Sequence, residues 1–249
     1  MDRSAPRPRP PFPYVDGTPA PLGWQRGLVV LAACGLAFAA LAWLPRWMPG
    51  VPGSWAGALA FVGLQLAGLG LAVGPSWRTL FRRPRWRDLL IALACVPLAF
   101  ALPALVAWGV VGSANLSANA VIQNAGDLAP LQVVNLFAVS GVQLLGEELI
   151  TILPLLVLMA ALHRARLHPW LVVGIAWVAT ALMFGALHLS TYHWHVGQAL
   201  LVIGAARLVL TGVYLLTRNL WASVLAHVVN DWWFLAFVIV TARMAPDVG

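Results

Sequence analysis

The chain has 249 residues, of which 61% are hydrophobic and 9% charged, against about 25% charge in an ordinary soluble domain. A soluble globular protein is excluded. The formal charge is +7 and all fifteen basic residues are Arg, yet most of them sit in short segments flanking apolar runs, which signals membrane topology rather than a nucleic-acid surface.

Residues 1–23 include the stretch RPRPPFPYVDGTPAP, whose prolines cannot sustain a helix, and are expected to form a disordered Pro/Arg-rich arm. Apolar runs follow near 27–44, 55–74, 89–111, 131–161, 170–189, 197–216 and 220–241. Each approaches or exceeds the roughly 20 residues that one bilayer crossing needs. The expected fold is therefore all-α, a polytopic transmembrane bundle of about seven helices (six to eight). Its divisions are N-terminal membrane helices over 24–129, a second membrane unit over 130–242 and a tail over 243–249. With the N-terminus on the cytoplasmic side, twelve arginines fall on that side and only Arg46 and Arg243 on the other, the asymmetry that sets orientation. Cys34 and Cys95 each lie inside an apolar run with no thiol or His at ligand spacing and read as small buried hydrophobes.

The fourth run is too long for one perpendicular crossing at 1.5 Å per residue, so it either tilts or projects its first ten residues as an amphipathic segment. Pro154 within it removes a helical hydrogen bond. The same run carries adjacent carboxylates, Glu147 and Glu148, among Leu, Ile and Val. One charge at mid-membrane costs about 2.5–3.5 kcal/mol on insertion scales, so a pair needs a reason. Consecutive helical residues point about 100° apart, so one carboxylate suits chemistry and the other structure. The fifth run ends in Phe184 and His188, and the seventh carries His227, Asn230 and Asp231. Phe184 and His188 share a helix face, as do His227 and Asp231, being four residues apart. A carboxylate and two imidazoles can activate water and stabilise an oxyanion, or bind a divalent metal such as zinc. Arg207, midway along the sixth run, is a candidate counter-charge for the glutamate pair.

In order and spacing, these residues resemble the CPBP family of CAAX proteases and bacteriocin-processing (Abi) enzymes, glutamic-type intramembrane proteases. That family has Glu-Glu with an Arg four residues after the second Glu, then Phe-x-x-x-His, then His-x-x-x-Asn. Glu147-Glu148, Phe184 to His188 and His227 to Asp231 match, over roughly residues 130–235. Two positions depart: Ile152 stands where the family has Arg, and Asp231 where it has Asn, with Asn230 one residue earlier. The resemblance implies that Glu147 and His188 activate water to attack a peptide carbonyl. It implies further that His227, with Asn230 or Asp231, stabilises the oxyanion, and that Glu148 holds the helices together.

On this reading the protein is a hydrolase of a membrane-associated peptide or protein, with no nucleic-acid partner. It uses either no cofactor or one divalent metal held by Glu147, His188 and His227. Arg-only basic usage suggests a bacterial cytoplasmic (inner) membrane. Two alternatives stay open, a non-catalytic scaffold or immunity protein of the same ancestry and a proton-coupled transporter. Helix centres near 146, 180 and 230 would leave His188 about 12 Å outward of Glu147, a gap that tilt must close.

Overall fold

The structure, a computed structural model, describes residues 11–112, 116–117, 119 and 125–244. Among these residues there is no strand and there are seven long helices. They are α1 (Trp24–Trp47), α2 (Val51–Val73), α3 (Trp86–Val106), α4 (Pro130–Arg164), α5 (Pro169–Leu187), α6 (Gly204–Thr217) and α7 (Leu220–Met244). A 3₁₀ segment, Gly74–Phe81, extends α2. One π segment, Ala107–Val111, extends α3 and another, Gln198–Ile203, leads into α6. With these extensions all seven are long and apolar enough to cross a membrane. The chain is an all-helical membrane bundle.

Prolines set several of the boundaries. Pro130 and Pro169 open α4 and α5, where an N–H would lack a helical partner anyway. The preceding Ala129 and His168 are extended, as residues before proline must be. The long fourth run is one continuous helix of 35 residues, Pro154 included. At about 52 Å it exceeds the roughly 30 Å hydrocarbon layer and must tilt or project.

Helix α4 is also the hub. Of its most apolar stretch 72% is buried inside the protein, against 22% for α1 and 11% for α3, so α1 and α3 turn most of their surface outward, to lipid. One core gathers Leu149, Ile152, Leu153 and Leu156 of α4 with Val30 of α1, Phe61 of α2 and Tyr214 of α6. A second core packs Ala92 and Val96 of α3 against Val209 and Val213 of α6 and Ala222 and Ala226 of α7.

The N-terminal arm departs from the sequence expectation. Residues 1–10 lie outside the described residues, but 11–23 are docked rather than disordered. Tyr14 is 1% exposed, and its hydroxyl donates to the Ser76 carbonyl at 2.9 Å. Phe12 lies 6.4 Å from the Tyr214 ring and 4.2 Å from the Arg218 guanidinium. Arg164 donates to the Leu22 carbonyl at 2.6 Å. Composition set the expectation, and two aromatics among the prolines supply the anchoring that composition alone does not weigh.

The turn between α6 and α7 is held equally firmly. Arg218 closes α6 in the left-handed region, and Arg82 donates to the carbonyls of Thr217 and Arg218, the groups a helix end leaves unpaired. Asn219 caps α7, its side-chain oxygen accepting from the Trp221 and Ala222 amides, as an N-cap does.

Candidate functional site

Three helices meet around the glutamate pair, and the two carboxylates have different surroundings. Glu148 is completely buried. Its Oε1 lies 2.6 Å from Nη2 of Arg207 and 2.8 Å from Nδ1 of His227, and its Oε2 contacts the Ser223 hydroxyl. A buried carboxylate is tolerated only when paired and hydrogen-bonded, and here α6 and α7 both supply partners.

Arg207 is itself fully buried. Its Nε donates to Thr211 Oγ1 at 3.1 Å, and its guanidinium lies 4.8 Å from the Phe184 ring centroid. Its approach to Glu148 has ion-pair separation without hydrogen-bond alignment. Ile152, one turn beyond Glu148 on α4, is 0% exposed and sits in the apolar core. The counter-charge that the family motif carries on the glutamate helix thus comes from α6 in this protein.

Glu147 points elsewhere. Its side chain is 13% exposed, and its Oε1 accepts from Gln143 Nε2 at 2.9 Å. Its Oε2 lies 3.8 Å from Nε2 of His227, outside direct hydrogen-bond range. Asp231, one turn after His227, brings Oδ2 to 3.6 Å from the same nitrogen, with its side chain 43% exposed. With Nδ1 committed to Glu148, Nε2 of His227 faces two carboxylates. Asn230 donates to Asp231 Oδ1 at 2.9 Å, while its own Oδ1 is buried with no hydrogen-bond partner among the described residues.

His188 stands apart from this group. It caps the end of α5, where its Nδ1–H donates to the Phe184 carbonyl at 2.9 Å, leaving Nε2 as the open nitrogen of the neutral ring. Among the described residues no hydrogen bond or ion pair joins His188 to Glu147. The link runs through the Phe184 ring, whose centroid lies 4.5 Å from that of His188 and 6.4 Å from that of His227. Gly185 permits the arrangement, since a Cβ there would meet the Ala199 carbonyl of the π segment. Nor do Glu147, His188 and His227 form a ligand set: among the described residues no three His, Cys, Asp or Glu are grouped to hold a metal ion.

Four further residues belong to the site's surroundings. Ser223, Gln143 and Thr211 each sit four positions from His227, Glu147 and Arg207, so one-turn spacing on the same helix face was the available signal. Tyr192, on the segment after α5, is close enough to Asp231 and Glu147 to feel their charges. Burial first, then Asp231, push its pKa up to about 12, against the opposing effect of a hydrogen bond with Asn119, with Glu147 adding a smaller push upward.

Compared with known proteins, residues 129–233 match the family described as type II CAAX prenyl endopeptidase Rce1-like. The matched segment runs from the start of α4 into α7 and contains all the residues just described except Asn119. It is consistent with the CPBP intramembrane proteases that the motifs resemble. No curated protein and no solved structure gives a match.

Proposed function

We propose that the protein is an intramembrane endopeptidase that hydrolyses a peptide bond of a membrane-associated peptide or protein, with Glu147 as the base. The observation that carries this reading is the division between the two carboxylates. Glu148 is occupied by Arg207, His227 and Ser223 inside the bundle, whereas Glu147 keeps partial exposure and, among the described residues, a hydrogen bond from Gln143 and a longer approach to His227.

In the reaction, water transfers a proton to Glu147 as its oxygen bonds to the substrate carbonyl carbon. The displaced electron pair moves onto the carbonyl oxygen, where the Asn230 amide, or Nε2–H of His227 with its ring doubly protonated, stabilises it. Collapse breaks the C–N bond, and Glu147 returns its proton to the departing amine. His188, with Nε2 open, assists in holding the water. Asp231 orients Nε2 of His227 rather than serving as an oxyanion donor, because an ionised carboxylate repels an oxyanion. The N-terminus lies in the cytoplasm, as the arginine asymmetry supports, and the membrane is a bacterial cytoplasmic one.

Comparison of membrane-protein termini in cells producing the wild type, Glu147→Ala or His188→Ala tests this. Termini that depend on both residues support proteolysis and name the substrate. Ion flux that changes with Glu147 while no termini change would indicate a transporter, and function retained in both variants a scaffold. Either result overturns the proposal.

A further inference from the structure

Helix α2 lies outside the family-matched segment, yet it places one polar side chain against the backbone of the glutamate pair. Gln65 is 0% exposed and both its amide hydrogens are used. Its Nε2 donates to the Phe61 carbonyl of its own helix at 2.8 Å and to the Gly146 carbonyl of α4 at 3.1 Å. Its Oε1 lies 3.8 Å from the Cys34 thiol of α1. The Gly146 carbonyl belongs to the same rigid peptide plane as the Glu147 nitrogen. On the next plane, the Glu147 carbonyl accepts from Thr151 Oγ1 at 2.9 Å. Gly146 makes the approach feasible, because a Cβ at this position would run into the Phe61 ring.

We infer that Gln65 is a positioning residue for the glutamate pair, fixing the rotation of α4 so that Glu147 rather than Glu148 faces the open side of the site. The inference rests on the reading of Glu147 as the base. Two clamps hold this part of α4 in rotation. One is the set of α6 and α7 partners on Glu148, and the other is Gln65 from α2 on Gly146. Because the two carboxylates differ by about 100° around the helix, a modest rotation changes which of them is reachable. Gln65 is fully buried, so solvent does not readily replace a donor lost there. The N-terminal helices thereby take part in the site without contributing a reacting group.

The test uses the purified full chain and a membrane-permeant carbodiimide, with peptide mass spectrometry reading the ratio of labelling at Glu147 to that at Glu148. Gln65→Met removes the amide. Gln65→Asn keeps the amide but is too short to span to α4, so it carries the test should the Met variant fail to fold. Either is expected to lower the ratio about five-fold or more, the factor equivalent to one net hydrogen bond. Trp55→Phe serves as the control. It removes another α2–α4 hydrogen bond, that of Trp55 Nε1 to Asn135 Oδ1, about 18 Å along α4 from Glu147, and should leave the ratio unchanged. An unchanged ratio in the Gln65 variants, or an equal fall in Trp55→Phe, overturns the inference. The readout needs no substrate, so failure of the protease reading and failure of this one are separable.

Discussion

Glu147 and Glu148 are identical side chains one residue apart, and isosteric amides should separate their roles. Glu147→Gln leaves a partly exposed group beside Gln143 and removes only its proton acceptor. Cleavage should fall by about 10²–10⁴-fold, the span of general acid–base catalysis, while thermal unfolding in detergent changes little. Glu148→Gln instead leaves the buried Arg207 without its counter-ion. Breaking one partner of a buried pair costs about 3–5 kcal/mol, so this variant should show a clear fall in Tm alongside any loss of cleavage. Equal effects on Tm from the two substitutions would contradict the division of roles.

At the scale of helices, the ion pair joins α4 to α6, whereas the family motif keeps both charges on one helix. Ile152 is four residues from Glu148, so an Arg introduced there lies on the same face. Alone, Ile152→Arg inserts a second cation into the apolar core and should destabilise by several kcal/mol. Arg207→Leu alone strands Glu148 and should do the same. The double variant Ile152→Arg/Arg207→Leu restores one cation to one anion and is expected to unfold at a higher Tm than either single variant. Such coupling is what a double-mutant cycle resolves. Strict additivity would show that Glu148 does not need its counter-charge.

Gly185 sets another helix-level constraint. Gly185→Ala drives a methyl against the Ala199 carbonyl, and overpacking of this kind costs about 1–3 kcal/mol. It should lower Tm by that equivalent and lower cleavage further through displacement of His188, seen as a fall in kcat larger than any change in KM.

How much of this was legible in the sequence follows from the range of each cause. The seven helices were, because hydropathy is a local sum over about 20 residues, and the glutamates and histidines stood out against a chain with almost no other intramembrane charge. The π segments at 107–111 and 198–203 were not, since their composition is that of an α-helix and only packing distinguishes them. The α6 origin of the counter-charge was open to suspicion, because Arg207 interrupts an apolar run. The Gln65 to Gly146 bond was invisible, as an uncharged Gln 81 residues away carries no signal of its partner.

Over the whole molecule, the docked arm ties three places together, the α2 extension at Ser76, the end of α4 at Arg164 and the α6–α7 turn at Arg218. Tyr14 is its buried anchor, so Tyr14→Ala should cost about 3–5 kcal/mol, as large aromatic truncations do. The local Asp16, exposed and, among the described residues, hydrogen-bonded to Thr18, should tolerate Ala with little effect. The phenol also makes the docking sensitive to alkali. Burial holds the Tyr14 pKa above the usual 10.0, so the folded state retains its proton when the unfolded chain has lost it. A raised folded-state pKa means stability that is complete below about pH 10 and falls as pH rises through the folded value. Tyr14→Phe keeps the ring, loses the bond to Ser76 and has no proton to release. Its Tm should therefore lie below the wild type at pH 8, with the difference narrowing as pH is raised past about 10. A difference that stays constant across that range would mean that the phenol proton takes no part in holding the arm, and that the ring alone anchors it.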